Sequence, residues 1–183
     1  MLEGGYVVLA APVVLAGAAL VGRRRNSSVA EWTVIMAMAA WLLAVASVTL
    51  FPLPVQPEVI AEGRAFDPQG NNLIPFRFVA DLIQGDPLLL RPVVANVAMF
   101  VPLGFLTGLF PTHGSAGRRA LAAALAVSLG VEGAQFSIST VLGYTYRSAD
   151  IDDVILNVAG ALLGLALLWV IRVQLRPRAP NPR

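Results

Sequence analysis

Arg147-Ser148-Ala149-Asp150-Ile151-Asp152-Asp153-Val154-Ile155-Leu156-Asn157 opens a run that stays almost wholly apolar to Val173. The run is long enough to cross a bilayer, for which about 20 apolar residues suffice. Three acids fall within four positions at its edge. Ionisable groups in such a place are expensive unless they are partnered, cap a helix or serve a function. The fold therefore turns on how many such runs the chain holds, and on which other polar residues share this depth.

Composition answers the first point in outline. The chain has 183 residues, 57% hydrophobic and 13% charged. A soluble domain carries about a quarter charged residues, so an all-α, polytopic membrane bundle in one domain is expected. There is no cysteine, which removes disulfide and thiol chemistry. Nothing points to a nucleic acid.

Five apolar runs stand out, at 6–22, 32–51, 92–110, 120–137 and 151–173. The first ends in Arg23-Arg24-Arg25, the reverse of the basic-then-apolar order of a secretory signal, so it reads as an uncleaved span. The tail 174–183 is rich in Pro and Arg and is expected to be disordered. His113 stands alone on a short connection and reads as bland.

Arginine supplies every basic side chain and sets the orientation. With the N-terminus outside, nine arginines fall on inner segments (23, 24, 25, 118, 119, 172, 176, 178 and 183), and four fall on outer ones (64, 77, 91 and 147). This is the positive-inside pattern. It predicts a multi-pass membrane protein with its N-terminus outside and its C-terminus in the cytoplasm.

The long connection 52–91 contains Asn71-Asn72-Leu73-Ile74-Pro75-Phe76-Arg77-Phe78-Val79-Ala80-Asp81-Leu82-Ile83-Gln84-Gly85. Pro75 suits a first helical position and Gly85 a stop. Phe76, Val79 and Ile83 recur at helical spacing, and Arg77 and Asp81 are four apart. The spacing predicts a short amphipathic helix on the outer surface, placed to act as a lid.

Rise per residue turns positions into depths. Asn96 lies about 6 Å below the outer start of its span. Glu132 and Gln135 lie within roughly 10 Å of the outer end of theirs. Asp153 and Asn157 lie about 5 and 10 Å below the start of the last span. Glu132 and Gln135 share a face, as do Asp153 and Asn157. Gly160 and Gly164 continue the second stripe at the spacing that lets membrane helices approach closely.

Each position also has a structural reading. Asp150 suits an N-cap and Asp153 a first-turn acid. Arg147 suits an ion-pair partner for the acids or for Glu132. Asn96 and Asn157 suit interhelical hydrogen bonds. Glu132, a carboxyl deep in a span, is the hardest to explain as structure alone.

Four stretches together resemble the VanZ-like membrane proteins. Asn72-Leu73-Ile74-Pro75-Phe76 is similar to their N-L-x-P-F. Asn96 to Phe105 resembles N-x-x-x-F-x-P-L-G-F, in which Phe100, Pro102 and Gly104 are packing positions. Glu132-Gly133-Ala134-Gln135 resembles E-x-x-Q. Arg147 to Gly160 resembles R-x-x-D-x-x-D-x-x-x-N-x-x-G. The likeness covers roughly residues 70–165. It implies a bacterial multi-span envelope protein whose namesake is linked to low-level resistance to teicoplanin, a lipid-tailed glycopeptide. It implies no agreed reaction.

Three functions fit these residues. The first is a binding module for membrane lipid, a lipid-linked wall precursor or a lipoglycopeptide, in which Asn72, Asn96, Glu132, Gln135, Arg147, Asp150, Asp153 and Asn157 form an outward polar site. The second is an intramembrane acid–base enzyme on a lipid-linked substrate, with Glu132 and Asp153 as its catalytic pair. That reading has a variant in which a divalent cation is held by Asp150, Asp153 and Glu132; no other cofactor is expected. The third is a small transporter or flippase with Glu132 as proton site.

Overall fold

A computed structural model describes residues 7–66, 70–83, 90–110 and 115–176. The described chain is helical, with no strand among its residues. Seven helices follow in order: α1 (Val7–Arg24), α2 (Val29–Leu50), α3 (Pro57–Ala65), α4 (Arg77–Ile83), α5 (Leu90–Leu109), α6 (Ala116–Leu142) and α7 (Ile151–Gln174). Among these, α2, α5, α6 and α7 are long and apolar enough to cross a membrane. The expected first span corresponds to α1, which packs along α2. Gly85, His113 and residues 177–183 of the tail lie outside the described residues, as does the Asp81 side chain.

Local chemistry sets most boundaries. The second span starts earlier than expected, because Ser28 caps α2. Its hydroxyl takes the Glu31 N–H while the Glu31 carboxylate takes the Ser28 N–H, which satisfies two donors that a helix start leaves open. The span expected to end at 137 runs on to Leu142. Ser137 and Thr140 turn their hydroxyls back onto the Gly133 and Phe136 carbonyls, so these polar residues continue the helix. Gly143 ends it with φ 75° and an N–H to the Ser139 carbonyl, a left-handed stop that glycine adopts without strain.

Two expectations for the long connection are corrected. Pro57 opens a nine-residue helix, α3, where only loop was expected. Pro75 does not open α4, which begins at Arg77; Phe76 sits between them with φ 66°. The reason is a tertiary acceptor for the amides around that turn, described below.

The core is the α5–α7 pair, the most extensive helix contact in the fold. The two run parallel: Gly160 faces the Val97 carbonyl, Gly164 the Val101 carbonyl, and Gly104 the Ala161 carbonyl. At each of these glycines a Cβ would fall within about 2 Å of a backbone oxygen. The expected stripe is thus a backbone-to-backbone contact. Phe100, Leu103, Ala124 and Ala161 form the buried centre, tying α6 to this pair.

Pro102 lies inside α5 and removes one rung of its ladder. Beside that break, the Trp41 indole donates to the Met99 carbonyl at 2.8 Å, and its ring meets Phe100 edge-on at 5.5 Å. Trp41→Phe keeps the ring contact and loses the donor. It is expected to lower stability by about 1 kcal/mol, measured by denaturant titration in micelles.

Even α7, the best covered of the four long helices, has only 39% of its apolar window buried inside the protein. The remaining faces of Leu, Val, Ala and Trp are the surface a lipid phase would cover.

Candidate functional site

The ends of α2 and α6 and the starts of α5 and α7 meet at one end of the bundle, and the polar residues gather there. The N-terminus of α7 is the hub. Asp150 is its N-cap, with Oδ1 accepting the Asp152 N–H at 2.8 Å. The same oxygen accepts the Asn72 amide at 2.8 Å, and the Asp150 N–H donates to Glu132 Oε2 at 2.9 Å. Glu132 on α6 thus closes onto the backbone that starts α7. The capping role expected for Asp150 is present, and it is joined to Glu132 and Asn72.

The strap from Gly70 to Phe78 is laced to this hub. Asn72 forms a single parallel bridge with Asp150: its N–H donates to the Ala149 carbonyl and its carbonyl accepts from Ile151, both at 2.9 Å. Asn71 Oδ1 accepts from the Ala149 N–H, and the Ser148 hydroxyl donates to the Gly70 carbonyl. Asp152 completes the lacing. Its Oδ1 accepts the Phe76 N–H at 2.5 Å and its Oδ2 the Phe78 N–H at 3.0 Å, with the Asn72 amide at 3.4 Å. Asp152 is only 2% exposed. A carboxylate so buried is tolerable because backbone donors surround it, and those donors hold Phe76 in its left-handed turn.

Asp152 is the residue of this polar end to which the sequence reading assigned no role. Helical spacing drew attention to Asp153 and Asn157. The signal for Asp152 was the strap itself, where a proline followed by Phe76 and Phe78 leaves amides in need of an acceptor.

The other expected residues sort into three places. Asn96 on α5 donates its amide to Asp153 Oδ1, joining the two parallel helices. Asn157 lies deeper and donates to the Ser128 hydroxyl at 2.8 Å, joining α7 to α6 away from the hub. Gln135 and Arg147 both serve the end of α2: Gln135 Nε2 donates to the Thr49 carbonyl at 3.1 Å, and Arg147 Nη2 to the Phe51 carbonyl at 3.1 Å. Helix ends leave such carbonyls open. Arg147 also lies 5.7 Å over the Tyr146 ring. Its contacts are thus a backbone carbonyl and an aromatic face rather than the carboxylates expected to pair with it.

A cavity of about 680 Å³ opens between these groups. Its lining mixes the charged and amide groups of Gln135, Arg147, Asp150 and Asp153 with Ser148, Tyr144 and Tyr146 and with the apolar Pro52, Pro54, Val59 and Pro92. Val59 comes from α3, and among the described side chains α4, the helix expected to act as a lid, supplies no lining residue. Among the described residues, no three acidic or histidine side chains are grouped to hold a metal ion. Asp150 Oδ1, Asp153 Oδ1 and Glu132 Oε2 each accept from an amide or backbone N–H.

Fold and site together define a helical membrane protein with a polar site built at one end of its bundle. The VanZ/LLP1 family model matches residues 38–172, and the chain belongs to that family. The match runs from α2 through nearly all of α7 and contains the strap, the hub and the cavity. No curated protein and no solved structure matches the chain.

Proposed function

We propose that this chain is a bacterial cytoplasmic-membrane protein that binds an envelope lipid, or a lipid-linked ligand, through its polar end. The observation that carries the reading is the cavity of about 680 Å³, whose lining combines charged and amide groups with prolines and a valine. The polar groups suit a headgroup and the apolar ones the glycerol or acyl region, the mixed lining common in ligand sites. The arginine bias supports an outside N-terminus, a cytoplasmic C-terminus and an outward-facing cavity. On that side the site would meet wall precursors and lipid-tailed glycopeptides, so susceptibility to teicoplanin-like compounds is the cellular phenotype to measure.

Native mass spectrometry of gently extracted protein is expected to find a retained lipid. Val59→Trp, which fills the cavity from α3, is expected to remove it. Retention unchanged by that variant would place the lipid elsewhere and end the reading.

The acid–base enzyme reading rests on Glu132 lying beside the start of α7, which carries Asp153. Glu132→Gln separates the two. A binder keeps its retained lipid, whereas proton transfer through Glu132 would make the variant lose about a hundredfold or more in rate.

A further inference from the structure

The cavity lining carries both signs of charge: Asp150 and Asp153 supply the negative groups and Arg147 the positive one. Arg147 uses Nη2 on the Phe51 carbonyl, and among the described residues no hydrogen-bond acceptor holds the other N–H groups of its guanidinium. Asp153 uses Oδ1 on Asn96, and its other oxygen has no partner there. An independent feature points to a ligand. Gln135 lines the same cavity, is only 9% exposed, and commits its Nε2 to Thr49, yet its Oε1 is buried without any partner. A buried acceptor left open is costly. The terminal torsion of a glutamine is broad, and turning that oxygen to a donor in the cavity would exchange the Nε2 bond to the Thr49 carbonyl for the new one.

We infer that the cavity selects a zwitterionic phospholipid headgroup with a primary ammonium, its phosphate on Arg147 and its ammonium on Asp153 and Gln135 Oε1. The inference rests on the lipid-binding reading above and names the headgroup class. An ammonium group offers three N–H donors and a positive charge, matching one free carboxylate oxygen and one orphaned amide oxygen. A trimethylammonium headgroup has the charge but no donor. A glycerol headgroup has donors but no positive charge to set against the two carboxylates once its phosphate is on Arg147. The planar guanidinium fork suits the phosphate.

The test offers delipidated full-length protein an equimolar mixture of phosphatidylethanolamine, phosphatidylcholine and phosphatidylglycerol with matched acyl chains, read by native mass spectrometry. Phosphatidylethanolamine is expected to be retained about tenfold or more over each of the others, the scale of a charge-assisted hydrogen bond. Asp153→Asn keeps an oxygen for Asn96, and Gln135→Met keeps the side-chain length. Each is expected to erase most of the ethanolamine preference while phosphatidylcholine retention changes by less than about twofold. Thermal unfolding of each variant serves as the folding check, and the ratio between lipids is the readout that a purely structural effect would not move. Equal retention of all three lipids, or preference for phosphatidylglycerol, overturns the headgroup assignment and leaves the lipid site standing. Retention of no lipid, or retention unaffected by Val59→Trp, overturns both.

Discussion

Gly160→Ala is expected to destabilise the protein by about 3 kcal/mol or more, at or above the top of the usual overpacking range. The added Cβ would sit 2.1 Å from the Val97 carbonyl oxygen and 2.9 Å from its carbon. Those atoms are backbone and cannot rotate aside, so α5 and α7 must separate along the contact. Gly164 against Val101 and Gly104 against Ala161 form the same seam, and alanine at either is expected to act in the same direction. Gly133→Ala is the control, since a Cβ there meets nothing within 4 Å. It is expected to be neutral or stabilising by up to about 1 kcal/mol through helix propensity. Unfolding in micelles followed by circular dichroism gives both numbers. An unchanged midpoint for Gly160→Ala would show that these helices do not meet through their backbones.

Asp152→Ala is expected to release the strap without dissolving the bundle. It strips acceptors from the Phe76 and Phe78 amides and from one Asn72 contact. An unmet buried donor costs about 1–3 kcal/mol. Water reaches part of this turn, because Phe76 itself is 60% exposed. A local loss of about 2–4 kcal/mol follows, which hydrogen exchange reads as roughly a hundredfold faster exchange at Phe76 and Phe78. Exchange in the middle of α5 and α7 is expected to stay slow. Glu58→Gln, on an exposed position of α3, is expected to leave the strap unchanged. If Asp152→Ala left strap protection at the wild-type level, the carboxylate would not be what holds it.

The helical bundle was legible in the sequence because spanning a bilayer imposes length and apolarity on each segment separately. The α7 boundaries came within a residue, 151–173 against Ile151–Gln174. The gathering of Asn96, Glu132, Gln135, Asp150 and Asp153 at one end was also legible, since depth follows from counting residues along a helix. The glycine stripe announced a close approach without naming its partner. Boundaries went astray where side chains overrode composition, as with the hydroxyls of Ser137 and Thr140 and the Ser28–Glu31 cap.

Partner choice was not legible. Counting turns put Asp153 and Asn157 on one face, yet Asp153 meets Asn96 on α5 while Asn157 meets Ser128 on α6. Arg147 was expected among the acids and instead serves the Phe51 carbonyl, 96 residues away in sequence. Asp152 drew no notice, because its value depends on amides about 75 residues upstream.

The sequence by itself determined the class of protein, the clustering of its polar residues toward one end of the bundle and the glycine face that a neighbouring helix must approach closely. These follow from local rules: the length of an apolar run, the rise of a helix and the absence of a Cβ. Tertiary structure alone decided which carboxylate holds the strap, which carbonyls receive Gln135 and Arg147, and that a cavity lies between them. Hydrogen bonding is directional over about 3 Å, so such pairings depend on how the helices rotate and dock, and no spacing within one segment carries that information.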